Sequence, residues 1–487
     1  MGFFESRGAL PVKYAPTRTT QSYIALYGAY ERDNFGDILF LKVAERLLAP
    51  WPIVPLSIIS GDMIDEADAV VVSGSAWFEH CPSDFLPSAL IVVGGEVLSW
   101  SLIDALTSDL DPDERRLFLR GNSTERAFIA KTMAWRSGNL GYVPMLHQLV
   151  GNVRHRIPFA LNSVGGAKMN RQAALFDEAL RALNEADYVS VRDALTFALI
   201  KDSKPAPPQI ELNPDLVSAL PECGFDEIGH AWSKLVREEP RLEHPYIVVQ
   251  ANQAYVKMHG AASVARAISQ TASKQNVSVV FQPAGVATGH DSVASLDKVA
   301  DLVEQELSGS RQVFRQLRRD LWTQVAVLSH STCFIGTSLH GRIVSASFGR
   351  PTVGLKNAKV TTYAETWENP GFQPKDVDLE DLPHAVNLAR DAPRELLLEY
   401  ARKQAIGAKE AFGRLRQKLQ ITEYEGDPAR IQQKLLAQMQ RALLGECKRL
   451  RSSLLYAQFG PSDEPSAPGS AIKKAYWRGR SLLRTKD

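Results

Sequence analysis

Between Cys333 and Leu355 an apolar run reaches Gly336, a Thr-Ser-Leu-His-Gly turn follows, and small residues continue from Ile343 to Phe348. Gly349 and Pro351 then break the pattern before Thr352 to Leu355 turns apolar again. Strand, short helix, stop and strand predict a compact βαβ unit. Its first loop lies at the carboxyl end of a buried strand, where open parallel sheets bind ligands. The free N–H groups of a helix start favour negative charge there, so His340 and Arg342 stand at a junction suited to an anion.

The same alternation extends over most of the chain. Tyr23 to Tyr27, Asp68 to Ser73, Ala89 to Val93, Pro158 to Val164 and Tyr188 to Val191 read as short buried strands. Helical patterns such as Asp37 to Leu48 and Arg171 to Glu185 separate them, which is the signature of a parallel sheet. A second block begins at Tyr246 to Gln250 and continues through Val277 to Phe281 and Cys333 to Gly336. The Pro- and Glu-rich stretch from Pro221 to His244 is the hinge candidate between the blocks. Beyond Pro393 the pattern changes to two long helices, Arg394 to Leu419 and Pro428 to Leu455.

These signals predict an α/β chain of two parallel-sheet blocks followed by a C-terminal helical region. The divisions are a lead-in over 1–20, a first domain over 21–225 and a second over 226–390. A helical region over 391–459 and a linker and basic tail over 460–487 complete the chain. The tail carries Lys473, Lys474, Arg478, Arg480, Arg484 and Lys486 with Tyr476 and Trp477, a composition that can rest on anionic lipid or simply be solvated.

Lys plus Arg (56) nearly balance Asp plus Glu (55), so no global field points to nucleic acid. Cys81, Cys223, Cys333 and Cys447 lack metal-ligand spacing, and neither a structural zinc nor a disulfide framework is expected. No run approaches the roughly 18 apolar residues of a membrane span. A cytoplasmic location is the expectation, with the tail offering contact to the inner face of the membrane.

Several predicted strand ends carry groups that can meet a ligand. The loop Gly28 to Asp37 supplies Asn34, Gly36 and Asp37, which can cap a helix or bond a sugar hydroxyl. Gly94, Gly95 and Glu96 end another strand, and Arg192 a third, where its fork can grip a carboxylate or phosphate or merely pair with Asp193. Lys356 and Lys359 follow the last strand of the second block.

Taken together, Asn34-Phe35-Gly36-Asp37, Val93-Gly94-Gly95-Glu96, Ser190-Val191-Arg192-Asp193, Asn213-Pro214-Asp215 and Gly336-Thr337-Ser338-Leu339-His340-Gly341 resemble the polysaccharide pyruvyltransferase family over roughly residues 23 to 370. The resemblance implies two Rossmann-like domains facing a cleft in a GT-B-like pair, 21–225 on the acceptor side and 226–390 on the donor side, and no cofactor, with phosphoenolpyruvate as co-substrate. It also implies transfer of a pyruvyl group to a diol on a nucleotide- or lipid-linked saccharide or polysaccharide. The product would be a pyruvate ketal in exopolysaccharide or cell-surface glycan biosynthesis. His340 and Arg192 are then the catalytic pair. Arg192, Ser338, Leu339, His340, Gly341, Arg342 and Lys359 are donor-binding, and Asn34, Gly36, Asp37, Gly94, Gly95 and Glu96 acceptor-binding. No metal is implied. Ser338 stands where family members with an Arg-Leu-His motif carry the arginine, and Arg342 or Lys359 would replace it. Two alternatives stay open: a GT-B-type glycosyltransferase using a nucleotide sugar, and a non-catalytic partner in a polysaccharide assembly complex.

Overall fold

The computed structural model describes residues 22–62, 70–109, 112–134, 140–144, 157–170, 174–204, 207, 209–286, 291–307, 311–315 and 317–459. The lead-in and the basic tail lie outside them. In the first lobe, short apolar runs form β1 (Ile24–Tyr27), β2 (Ile53–Ser57), β3 (Gly61–Asp62), β4 (Val70–Ser73), β5 (Ala89–Val93), β6 (Phe159–Val164), β7 (Tyr188–Val191) and β8 (Glu211–Leu212). They build one sheet in the order β3-β4-β2-β1-β5-β6-β7-β8, parallel except for the β3–β4 edge. The second lobe holds β9 (Tyr246–Gln250), β10 (Ser278–Phe281), β11 (Val313–Arg315), β12 (Cys333–Gly336) and β13 (Thr352–Gly354). Their order is β11-β10-β9-β12-β13, all parallel.

Among the parallel strands of each sheet the order reverses once, between β1 and β5 and between β9 and β12. The loops leaving those strand ends diverge, which opens a crevice at each switch point. The architecture is the GT-B-like pair of Rossmann-like lobes expected from the sequence, each with helices on both faces. One core cluster runs continuously through both lobes, joining Leu39 and Leu41 of the helix Phe35–Leu48 to Ile343 and Val344 below the second crevice. Leu216 and Leu220 lie in that cluster too, on the 3₁₀ helix Leu216–Cys223.

The stretch expected to be a hinge is mostly helical. Asp226–Glu238 forms a helix that packs on Leu321–His330 of the second lobe. Its acidic start, Asp226 and Glu227, and basic end, Arg237, suit the helix dipole, which outweighs the loop-like composition around it. The helix expected from Ile343 starts four residues earlier, over Leu339–Ser347, because the Ser338 hydroxyl accepts from the Gly341 N–H at 3.1 Å and caps it.

The C-terminal helices return to both lobes. Arg394–Lys418 packs on the 3₁₀ helix and on Leu339–Ser347. Pro428–Phe459 lies on Gly74–His80 and places Leu435, Met439 and Leu443 in the first-lobe core. Glu446 of that helix is buried and accepts a hydrogen bond from the Ser60 hydroxyl. Burial pushes its carboxyl up to about 7 from an ordinary 4.5, against the lowering effects of Ser60 and Arg449.

Between those two values the folded state binds the proton more tightly than the unfolded chain. Stability therefore falls as pH rises through that window, by at most about 3 kcal/mol. Glu446→Gln keeps the acceptor for Ser60 without a charge. Urea unfolding should show it more stable than the parent by about 2 kcal/mol near pH 8, with the gain vanishing near pH 4. An equal gain at both pH values would show that the effect is not ionisation.

Candidate active site

The carboxyl ends of β1, β5, β7, β9 and β12 look into one cavity of about 230 Å³ between the lobes. From the first lobe come Asn34, Asp37, Gly94, Gly95, Glu96 and Arg192; from the second come Ser338, Leu339, His340 and Lys359. Residues assigned separately from the sequence to donor and acceptor thus share one wall-to-wall space.

Two capped helix starts point at this space. The Asn34 side chain accepts from the Gly36 N–H at 3.3 Å and donates to Asp37 at 2.9 Å, which fixes the start of Phe35–Leu48. Ser338 does the same for the His340 helix. Gly94 and Gly95 turn the chain out of β5 with φ of 59° and 79°, a backbone region that disfavours side chains. A Cβ at Gly94 would also strike the Phe40 ring.

Arg192 is 2% exposed and has committed its fork. Its Nη1 donates to Asp215 at 3.0 Å and its Nη2 to Glu96 at 3.0 Å. Burial raises the pKa of both carboxyls, but Arg192 acting on both, with Lys359 near Glu96 and His340 beside Asp215, holds each below its ordinary value. Asp215, fully buried, lies 3.8 Å from Nε2 of His340 and accepts the Val217 N–H at 3.0 Å through its other oxygen. Arg192 and Asp215 of the first lobe and His340 of the second therefore form a continuous line. The imidazole is further held edge-on to Phe40, ring centres 5.0 Å apart. A Cβ at Gly36 would collide with it.

Lys359 is half-buried on the cavity wall. Burial, with Arg192 and Lys168 nearby, lowers its pKa despite the opposing pull of Glu96 and Asp37.

Three sequence expectations need correction. Arg342 does not reach the cavity. It is fully buried: Nε donates to Glu368 at 2.8 Å, Nη1 to the Pro374 carbonyl at 3.1 Å and Nη2 to the Gln373 carbonyl at 2.9 Å, with Nη2 also on Glu368. On a helix, residues two apart face different ways, so a neighbour of His340 in sequence points away from it in space. Gly36 is not part of the cavity wall but the seat of the His340 ring. Gly341 likewise lies off the wall, against the ring of Phe334.

Other groups at the site had no role in the sequence reading. Asp215 was visible only as part of Asn-Pro-Asp; its use depends on a contact made across the lobes. Arg32 lies 4.3 Å over the Trp100 ring and 5.7 Å from that of Tyr142, and all three line the cavity. Nothing in the sequence spacing links these residues. Asp291, too, opens on the cavity from the second lobe.

The lobes are tied at the rim. The Phe35 N–H donates to the Ala284 carbonyl at 3.1 Å, Arg319 pairs with Asp33, and the Trp367 indole N–H donates to the Arg192 carbonyl at 2.7 Å.

The profile of the polysaccharide pyruvyl transferase family matches residues 34–359, which is more than half of the chain and spans every cavity residue named above except Arg32. The chain belongs to the polysaccharide pyruvyl transferase family. No curated protein matches the chain. Solved structures of similar shape include UDP-GlcNAc 2-epimerase from Neisseria meningitidis bound to UDP-GlcNAc. It is 11% identical with a TM-score of 0.47, the match covering 83% of this chain and all of that one. UDP-GlcNAc 2-epimerase from Methanocaldococcus jannaschii is 10% identical with a TM-score of 0.44, over 79% and 99% of the two chains. Among the described residues no helix is long and apolar enough to cross a membrane.

Proposed function

We propose that this member of the family transfers a pyruvyl group from phosphoenolpyruvate to two hydroxyls of a saccharide, closing a cyclic ketal. The observation that carries the reading is the line Arg192–Asp215–His340 across the lobes, with Lys359 on the same cavity wall. Ketal formation needs a proton on the donor's methylene carbon, an anion clamp, and a place for the diol. His340 supplies the proton, and the Asp215 carboxylate beside it gives a protonated ring its counter-charge.

The anions of the donor meet Lys359, whose ammonium makes no ion pair within 4.0 Å among the described residues, and the remaining N–H groups of Arg192. Lys359 thereby takes the place of the arginine absent at Ser338, which Arg342 cannot do. The Ser338 hydroxyl and the Leu339 backbone at the helix start complete the donor side. Asn34, Asp37 and the Gly94-Gly95-Glu96 turn form the acceptor side, and the half-buried Trp100 offers a face for a sugar ring. A nucleotide- or lipid-linked saccharide is the acceptor class.

The test is incubation with phosphoenolpyruvate and pooled nucleotide- and lipid-linked saccharides. Phosphate release together with a ketal methyl signal in the NMR spectrum of the product is expected. Nucleotide release from a sugar nucleotide, without phosphate from phosphoenolpyruvate, would favour a glycosyltransferase instead. Within the same assay Lys359→Ala should raise the KM for phosphoenolpyruvate about tenfold or more, the weight of one charge-assisted contact. An unchanged KM would take Lys359 out of the clamp.

A further inference from the structure

The second-lobe wall of the cavity carries a carboxylate that the steps above leave idle. Asp291 is 8% exposed and opens on the cavity. One oxygen accepts from Gln250 Nε2 at 2.6 Å and the other from the Ala284 N–H at 2.6 Å. Gln250 Oε1 in turn accepts from the Thr337 N–H at 2.9 Å and the Thr337 hydroxyl at 3.2 Å. Asp291 is thus fixed both to the end of β9 and to the turn that starts the His340 helix.

Its surroundings differ from those of the other two carboxylates on the wall. Glu96 is bound to Arg192, and Asp37 sits in the first turn of a helix, where N–H groups favour negative charge. Asp291 is held by neutral donors. Arg319, the cation that acts on it, is itself paired with Asp33 of the first lobe. Burial pushes the Asp291 carboxyl up to about 6, against the lowering effects of Ala284, Gln250, Gly285 and Arg319. Both of its protonation states are accessible near neutral pH.

The proposed reaction moves protons at three places: the methylene carbon, the acceptor hydroxyls and the departing phosphate. His340 is pinned between Asp215, Phe40 and Gly36, so its ring cannot swing from the carbon to an oxygen on the far side of the donor.

We propose that Asp291 is a second proton-transfer residue, taking the proton of the first attacking hydroxyl and returning it to the phosphate as that group leaves. This rests on the pyruvyl-transfer reading. His340 gives its proton to the methylene carbon while the first hydroxyl oxygen bonds to C2 and loses its proton to Asp291. The bond from C2 to the phosphate oxygen then breaks, its electron pair leaves with the phosphate, and Asp291 protonates it. The second hydroxyl, on the His340 side of C2, closes on that carbon, and its proton restores His340. The two hydroxyl protons end on the methyl group and on phosphate, and both residues return to their starting state.

The test uses the full chain with phosphoenolpyruvate and an acceptor on which the parent releases phosphate. Asp291→Asn should lower kcat by about 10²- to 10⁴-fold with donor KM changed only a few-fold, and abolish the acid limb of the pH profile of kcat/KM. Asp291→Glu should keep the limb with partial turnover. A carboxylate that merely braced Ala284 would instead raise KM and lower the melting temperature while leaving the limb in place, and that result overturns the proposal.

Should Asp291→Asn not fold, Gln250→Ala provides a second reading. Loss of a donor that stabilises the carboxylate should move the acid limb to higher pH, and an unmoved limb overturns the proposal. If the parent itself releases no phosphate from phosphoenolpyruvate with any saccharide, the pyruvyl-transfer reading fails. If the parent is active and Asp291→Asn matches it, only the role of Asp291 fails.

Discussion

His340→Gln is expected to remove about 10² to 10⁴ of the turnover, the usual share of a positioned acid, while the protein stays folded. Glutamine fills most of the imidazole's volume against Phe40 and Gly36 and keeps a polar group beside Asp215, but it carries no transferable proton. The two lobes keep their other rim contacts, at Phe35–Ala284 and Trp367–Arg192. Binding of phosphoenolpyruvate, followed by isothermal calorimetry, should therefore persist within about tenfold of the parent. The measurement that decides is phosphate release under saturating donor. Turnover near that of the parent would mean that the proton reaching the methylene carbon has another source.

Arg342→Ala should do the opposite, costing stability rather than chemistry. Its guanidinium is fully buried on Glu368 and two carbonyls, and truncation would leave that carboxylate charged, buried and without its partner. Breaking a buried pair from one side typically costs about 3–5 kcal/mol. Arg342→Met with Glu368→Gln removes both charges and should recover much of the loss, a comparison made by urea unfolding of the single and double variants. The double variant should also keep its KM for phosphoenolpyruvate. A large rise in KM in a well-folded double variant would return Arg342 to the donor site.

The contrast between these neighbours shows how far a linear reading reaches. His340 and Arg342 look equivalent in the sequence, two basic side chains at one helix start. The helix begins at Leu339 rather than Ile343, so both lie in its first turns and project about 200° apart. One ring faces the cavity and the other side chain braces the segment that follows β13. A capping serine decided that boundary, and a serine read only as the place of a missing arginine gives no warning of it. Arg192 shows a related limit. Its place at a strand end was legible, but the capture of its fork by Glu96 and Asp215 depends on residues 96 positions before it and 23 after it.

Alternating apolar runs and helical patterns determined, without coordinates, that the chain is α/β with two parallel sheets and a helical end, since buried parallel strands leave that imprint locally. Glycines and polar groups at strand ends likewise marked where ligands meet the protein. Which of those groups share one cavity was decided only by the packing of the lobes. Asp215 reaches His340 across the interface, Arg32 lies on Trp100, and Asp291 faces the same space from the far wall. These are contacts between elements distant in the chain, and side-chain commitments made at such distances leave no periodicity for a sequence to carry.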